Sequence, residues 1–339
     1  MLEKFISFVI KGTWHFALQI LWLCLWLFGL GFFVGYVMRW WPGERVLLVR
    51  LMSSLTPWLL ISLVPSMILA GLGRRYSLMT FLAMPTAIII FTYAPLFLPR
   101  IKLALAADNS LTVMSYNVWS RNEDMAAVAL QIKQEQPDIL LLQELTPDKV
   151  QQLSTALDDL YPETKINFVY ASNILQGVVS RYPLTVIETS SSKGRLQKAI
   201  VETPDGPINV WNVHLHAFPW RKQYAQVQAL DEDLAKMKAP LILGGDFNAA
   251  DQSETYQLVD NYLDNAHWQA GWGFGFTYPS NWGSIPSHSQ IKRAVGDTPL
   301  IRIDHIFYND HFYAYSAKTL AESGGSDHAP VMATLLRRQ

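Results

Sequence analysis

Cysteine is almost absent from this chain of 339 residues. The one present, Cys24, lies in an apolar run and serves there as small apolar filler. Residues 101–339 contain none, so a thiolate nucleophile or a thiolate-held metal is excluded from that part. The same lack leaves the redox compartment open, because a cysteine-free domain suits either. Acids are scarce at the front: residues 1–100 hold only Glu3 and Glu44 against eight Lys/Arg, a net +6. The remainder reverses the balance, with 19 Lys/Arg against 26 Asp/Glu, a net −7. Internal repeats and low-complexity tracts are absent as well, which excludes a repeat architecture.

What the front does contain is apolar. Three stretches, Trp14–Met38, Leu51–Leu72 and Ser77–Leu98, are long enough to cross a bilayer, which takes roughly 20 apolar residues. Between the first two, "RWWPGER" sets Trp40 and Trp41 beside Arg39 and Arg45, the aromatic and basic girdle of a membrane interface. Pro57, Pro65 and Pro85 fall inside spans, where neighbouring helices satisfy the freed carbonyls. No small-residue cleavage site follows the first run, which argues against a signal peptide, and Ala104-Leu105-Ala106 after the third is a weak processing pattern. The expectation is a lipid-bilayer anchor of three transmembrane helices over 1–100, a linker over 101–110 and a catalytic domain over 111–339. Lys4, Lys11, Arg74 and Arg75 on one side face Arg39, Arg45, Arg50, Arg100 and Lys102 on the other, so counting alone does not orient the chain. The very short "GRRY" turn is the hardest to translocate. Keeping Arg74 and Arg75 inside sends the soluble domain to the extracytoplasmic side.

From Leu111 the pattern changes. "LTVMSYNVW" alternates as a strand does, "MAAVALQIKQEQ" has helical spacing, and "PDILLLQEL" is a short buried strand. Further strands are expected at "GVVS", "LTVIET", "KAIVET", "INVWNVHL", "LILGGD", "RIDHIFYN" and "PVMATLL", with helices over 219–238 and Ser253–Asp260. This alternation predicts an α/β fold of two packed sheets covered by helices. One irregular stretch, Gly271–Leu300, is rich in aromatics: Trp272, Phe274, Phe276, Tyr278 and Trp282. Loops of that length inside a compact domain are usually functional.

Polar, metal-capable side chains recur at the ends of these apolar strands: Asn117, Glu144, His214, Asp246 with Asn248, Asp304, and Asp327-His328. Each alone has a bland reading as a turn, a cap or a packed histidine. Six strand ends that each offer an oxygen or an imidazole do not, because leaving them buried and unpaired is costly. Oxygen ligands without cysteine favour a hard ion, Mg²⁺ or Mn²⁺. Glu144 and Asp327 are expected to hold the ion, with Asn117 tuning it or touching phosphate. Asp246 would activate water, the neutral Asn248 would donate to a phosphate oxygen, and His328 would stabilise the transition state while Asp304 fixes its tautomer. Together these are the parts of a metal-assisted phosphate-ester hydrolysis.

The same residues carry a family resemblance. "MSYNVW", "DILLLQEL", "NVHL", "GGDFNA", "RIDHIF" and "SDHAPV", in that order over Leu111–Leu336, resemble the endonuclease/exonuclease/phosphatase superfamily, which includes DNase I, abasic-site endonucleases, neutral sphingomyelinases and inositol-polyphosphate 5-phosphatases. The resemblance implies a DNase I-like four-layer α/β/β/α sandwich with its site at one edge. It gives Asn117, Glu144 and Asp327 to metal and phosphate, and His214 to contact with phosphate or leaving group. Asp246 and Asn248 take the water-activating and phosphate-positioning roles, and Asp304 supports His328. The glycines of "LILGGDFNAA" are expected to let a phosphate approach Asp246 and Asn248.

The substrate is a phosphate ester, and the chain's charge narrows it. A catalytic domain of net −7 disfavours duplex DNA, which is bound through a basic face, and the basic clusters near the motifs are limited to Arg221-Lys222 and Lys292-Arg293. The apolar front and the aromatic loop favour a lipid-like phosphodiester, with nucleic acid as the alternative. A non-catalytic scaffold would be expected to have lost one of Glu144, Asp246, Asp327 or His328, and none is lost. His216 and His305 are expected to serve structural roles, Arg181 to lie in a solvated turn or meet phosphate, and Arg195 and Lys198 to be surface charges.

Overall fold

The computed structural model describes residues 2–41, 43–99, 110–161, 166–192, 194–281 and 298–338. Most of the expected linker (101–109), Trp282 and Lys292-Arg293 lie outside them. The chain divides into two units, 1–95 and 96–339.

In the first unit, α1 runs over Leu2–Met38 and contains the apolar stretch Val9–Met38, while α4 (Tyr76–Tyr93) continues as one 3₁₀ turn to Phe97. Both are long and apolar enough to cross a membrane. The expected middle span, Leu51–Leu72, is not one straight helix. α2 (Leu47–Ser54) and the segment Thr56–Leu72, which contains α3 (Leu60–Leu72), meet at a bend of 84°. The break falls at Leu55 (φ −105, ψ 15), and Pro57, which has no N–H, cannot carry the hydrogen bonds of α2 across it. Among the described residues the number of candidate spans is therefore two, or three if the bent pair crosses as one.

The second unit is an α/β sandwich of two six-stranded sheets. The first has the strand order β11-β12-β1-β2-β4-β3, from β1 (Ser110–Asn117), β2 (Ile139–Gln143), β3 (Asn167–Ala171), β4 (Gln176–Ser180), β11 (Phe312–Thr319) and β12 (Val331–Arg337). The second has the order β5-β6-β7-β8-β10-β9, from β5 (Leu184–Ser190), β6 (Leu196–Thr203), β7 (Gly206–His214), β8 (Leu241–Asp246), β9 (Asp264–Asn265) and β10 (Asp304–Tyr308). Each sheet has one parallel pair at its centre, β1 with β2 and β7 with β8, and is otherwise antiparallel. The central strands are apolar on both faces, as "ILLLQ" of β2 shows, because both faces are covered. The edge strand β5 instead alternates between half-buried and exposed residues.

Three apolar layers make the core. Val113, Leu141 and Val178 of one sheet meet Val210, Ile242 and Ile306 of the other. Outside the first sheet lie α5 (Met125–Glu135) and α6 (Pro147–Ala156), packed through Val128, Ile132 and Leu153. Outside the second lie α7 (Trp220–Leu234) and α8 (Glu254–Asp260), packed through Val227, Leu230, Leu234 and Val259. A short α9 (Ala266–Ala270) follows β9. Asp124 starts α5 by accepting the Ala127 N–H at 2.9 Å, and Ser253 starts α8 by accepting the Tyr256 N–H at 3.1 Å. This is the four-layer arrangement expected from the alternation of strands and helices.

Candidate active site

The register of the central strands builds the site. In the second sheet, parallel pairing sets His214 beside Asp246, and antiparallel pairing sets Asp304 opposite Asp246. In the first, Asn117 aligns with Gln143, so Glu144 emerges one residue beyond the end of β2. Ser326 pins the last loop onto this edge: its Oγ donates to the Asn117 carbonyl at 2.7 Å and accepts the His328 N–H at 3.1 Å. Below lies a buried polar floor joining the two sheets, in which Gln143 Nε2 donates to Asn212 Oδ1 at 2.7 Å and Asn212 Nδ2 donates to the Leu142 and Gly177 carbonyls. Those partners satisfy groups that an apolar sandwich would otherwise strand.

Asp246 is the hub. Its carboxylate accepts the Asn248 N–H at 2.8 Å and the Asn117 amide at 3.0 Å, which ties one sheet to the other. His214 Nε2 lies 3.5 Å from it and His328 Nε2 lies 3.8 Å from it. Behind His328, Nδ1 and Asp304 Oδ2 share a hydrogen bond of 2.9 Å, with both side chains buried. Glu144 accepts the Ser120 N–H at 2.8 Å and the Asn117 amide at 3.3 Å, 3.9 Å from His214 Nε2. Trp119, Glu144, Arg195 and Asn248, all non-glycine, have positive φ. Such outliers concentrate where surrounding structure holds a functional geometry.

The two histidines differ in charge. Burial drives the His214 pKa down to about 4, against the pull of Asp246, so it is neutral. Burial also acts against charge on His328, but Asp304 and Asp246 outweigh it and lift its pKa to about 10. Burial raises Asp246 above the ordinary carboxylate range, and Asp327, buried with Glu144 and Asp246 nearby, rises to about 6. Burial works against ionised Glu144 too, yet His214 and the bonds from Ser120 and Asn117 leave its pKa lowered. Three carboxyls thus repel one another across one pocket.

That repulsion is the test of a divalent ion, and the residues fit one. The donors are hard oxygens, and Asp327 Oδ1 is buried with no protein partner. Asp246, Asp304 and His328 bring one ligand atom each within 4.8 Å of one another, a second grouping able to hold an ion. Its members already bond each other, since His328 Nδ1 and Asp304 Oδ2 make the 2.9 Å contact. Glu144 and Asp327 lie outside that grouping: both Glu144 oxygens accept bonds, from Asn117 and Ser120, and Asp327 Oδ1, like Asp304 Oδ1, is buried without a partner.

Several expectations change here. Both amide hydrogens of Asn248 have protein acceptors, the Leu215 carbonyl at 2.9 Å and Asp246 Oδ2 at 3.2 Å, so donation to phosphate requires trading the longer bond. The glycines of "LILGG" do not clear room for phosphate. A Cβ on Gly244 would sit 2.7 Å from Leu141 Cδ1 of the facing sheet, and one on Gly245, at φ +146, would sit 1.9 Å from the Val213 carbonyl. They permit sheet packing and strand pairing. Arg181 pairs with Asp138 at 3.1 Å, at the opposite end of β2, and Lys198 is buried between Glu188 and Asp233, so neither belongs to the site. His305 bonds the Ala249 carbonyl at 2.9 Å and faces Asn265, a structural role.

Two neighbours of the pocket have places that the sequence reading does not give them. Tyr278 packs its ring 4.9 Å from that of His328, and burial together with Asp327, Asp246 and Glu144 raises its hydroxyl pKa. Arg195 donates from Nε to the His214 carbonyl at 3.1 Å. The aromatic run around Tyr278 is the only sequence signal for the first, and the second, expected as a surface charge, is half-buried against the His214 backbone instead.

Two mixed sheets with helices outside and acids, amides and histidines gathered at one edge define a DNase I-like α/β protein. The chain belongs to the Endonuclease/Exonuclease/phosphatase family, whose model matches residues 114–328. No curated protein matches it. Among solved structures it is similar to an endonuclease/exonuclease/phosphatase family protein from Bacteroides thetaiotaomicron, at 18% identity and TM-score 0.54, covering 68% of this chain and 98% of that one. A mannosyl-6-phosphatase of the same organism is similar at 17% identity and TM-score 0.53, covering 67% and 99%. D. rerio TDP2 complexed with single strand DNA product is similar at 18% identity and TM-score 0.50, covering 67% and 99%. The family is one of metal-dependent hydrolases acting on phosphoester bonds.

Proposed function

We propose that this chain is a membrane-anchored phosphoesterase that hydrolyses a lipid-like phosphodiester by metal-assisted attack of water. The observation that carries the reading is Asp246 set between a neutral and a charged histidine, with Glu144 and Asp327 across the same pocket. Glu144 and Asp327 hold Mg²⁺ or Mn²⁺, and Asn117 steadies that side while reaching toward phosphate. When bound, such an ion neutralises phosphate charge and polarises the ester. Asp246 orients the attacking water and takes its proton, which its raised pKa favours. Asn248 positions the phosphate. His328 enters protonated and stabilises charge developing on the phosphoryl oxygens, and Asp304 keeps it so. His214, neutral, contacts phosphate or leaving group without adding a second cation.

The lipid-like substrate is supported by the apolar helices of the same chain and by Trp272, 64% exposed beside the stacked Phe274–Phe276 pair. The domain's net −7 opposes duplex DNA, whose binding depends on neutralised phosphates. With Arg74 and Arg75 retained inside and the bent pair crossing as one span, the catalytic unit lies on the extracytoplasmic side.

The test is hydrolysis by the full chain in detergent with Mg²⁺ or Mn²⁺, against a phospholipid, a plasmid, a single-stranded oligonucleotide and an inositol phosphate. Release from the phospholipid is expected. Activity confined to the nucleic acids replaces the lipid reading with a nuclease, and activity on none of the four overturns the assignment.

A further inference from the structure

A second group of polar side chains flanks His214 and has no part in the hydrolytic scheme above. Gly194 and Arg195 are consecutive left-handed residues, at φ +85 and +45, where the chain turns into β6. A Cβ at Gly194 would meet Leu215 Cδ2 at 2.4 Å, so the turn is pressed against the strand end that carries His214. The Gly194 carbonyl accepts the His214 N–H at 3.1 Å, and Arg195 Nε returns a bond of 3.1 Å to the His214 carbonyl. Arg195 is half-buried, and no described acid caps its two Nη groups. The carboxylates that act on it are Asp246 and Glu144 of the pocket itself. A non-glycine residue held in the left-handed region is strained, which points to a function for its position.

Two residues past His214, His216 is clamped by the buried Gln226 of α7. Gln226 Oε1 accepts the His216 backbone N–H at 3.0 Å, so its amide nitrogen is the group facing Nδ1 at 2.9 Å. Nδ1 is therefore the acceptor, and Nε2 carries the hydrogen as a donor. Burial, with Arg195 and Lys222 adding electrostatically, holds the His216 pKa low, so it stays a neutral donor in the field of two cations. Lys222 lies in the first turn of α7, a turn with no acidic residue and no side-chain cap at Pro219. Arg221 and Lys222 put positive charge at the positive end of the helix dipole, an unfavourable arrangement, in a domain whose net charge is −7. Like charges gathered there without carboxylate partners are stabilised by an anion.

We propose that Arg195, His216 and Lys222 form an anion-recognition rim beside the hydrolytic pocket, which binds a second phosphate group carried by the substrate. The inference rests on the phosphoesterase reading for the adjacent pocket. It makes the preferred substrate one with two phosphates a few bonds apart. Arg195 supplies a fixed guanidinium fork, His216 a neutral N–H, and Lys222 a mobile charge at the mouth. A phosphorylated lipid headgroup and a neighbouring nucleotide phosphate share this chemistry.

The experiment uses the full chain in detergent with Mg²⁺ and two matched substrate pairs. One pair is phosphatidylinositol with and without a 4-phosphate in mixed micelles, and the other is a dinucleotide with and without a terminal 5′-phosphate. In at least one pair the second phosphate should raise kcat/KM about tenfold or more, chiefly through KM. That advantage should shrink about tenfold in Arg195→Gln and several-fold in the exposed Lys222→Gln, and Arg195→Lys should retain part of it. The pair that responds identifies the source of the phosphate. A separate calorimetric titration with inorganic phosphate in EDTA reads the rim without hydrolysis, and affinity should fall about tenfold in Arg195→Gln. Loss of hydrolysis with retained, Arg195-dependent phosphate binding condemns the phosphoesterase reading and spares the rim. No discrimination within either pair, or phosphate binding unchanged in both variants, overturns the rim.

Discussion

Replacing Asp304 with asparagine removes one charge and almost no volume. The native carboxylate meets His328 Nδ1 at 2.9 Å, both side chains are buried, and the imidazole pKa is lifted to about 10. A hydrogen bond to a charged group contributes roughly 1.5–3 kcal/mol, and each 1.4 kcal/mol is a factor of ten. Asp304→Asn should therefore lower kcat by roughly 10- to 150-fold at neutral pH. His328→Ala, which removes the contact to the transition state outright, should cost about 100-fold or more in kcat with a modest change in KM. If the pair acts as one device, the double variant loses little beyond His328→Ala alone, since Asp304 then has nothing to support. The sign of the pH effect follows as well. Loss of the carboxylate lowers the His328 pKa, so the alkaline limb of kcat moves to lower pH. The assay is steady-state hydrolysis at saturating Mg²⁺ from pH 6 to 10, with melting curves for each variant. Losses that multiply in the double variant, or an alkaline limb that stays in place, would show that Asp304 does not work through His328.

Chelation with EDTA should abolish activity and Mg²⁺ or Mn²⁺ should restore it, while Glu144→Gln keeps its melting temperature but needs more metal; full turnover after exhaustive chelation refutes the ion. Gly245→Ala drives a Cβ to 1.9 Å from the Val213 carbonyl, a backbone that cannot yield, whereas Gly244→Ala meets the movable Leu141 Cδ1 at 2.7 Å. The first should cost roughly 4 kcal/mol or more and the second about 1–3 kcal/mol, read from unfolding midpoints, and equal costs refute the distinction. In EDTA, the stabilisation from His328, whose pKa rises from 6.5 to about 10 on folding, is complete below the lower value and lost as pH climbs through the higher. Melting temperature should fall over that window, less steeply in Asp304→Asn, and a flat profile contradicts the charged state. Alkaline phosphatase fused after Gln339 should be active and green fluorescent protein dark; the reverse pattern puts the catalytic unit in the cytoplasm.

The sandwich and the pocket were legible in the sequence for one physical reason. A buried central strand has a mostly apolar interior in which amides such as Asn212 must find internal partners, so ionisable residues such as His214 and Asp246 collect at its end, where register with its neighbours brings them to one edge. The motif marks the strand end and the strand end marks the site. The bend in the middle span was not legible because hydropathy carries no direction: Leu51–Leu72 is apolar throughout, yet the chain bends by 84° between Ser54 and Thr56.

Arg195 shows what a strand-end argument cannot reach. In "SKGRLQ" it sits between a lysine two residues before and a polar residue two residues after, as a solvated turn would. Its placement is made by a tertiary event, the Gly194 turn closing on the His214 backbone, which holds it within the field of Asp246 and Glu144 without an ion pair to any described acid. The doublet Gly244-Gly245 teaches the same point from the other side. Sequence says that space is needed beside Asp246, and only the packing says that Leu141 and Val213 take it. Residues that chemistry requires at a strand end can be recognised one strand at a time. Residues whose role depends on what faces them are fixed by two segments at once, and one segment read alone does not contain that information.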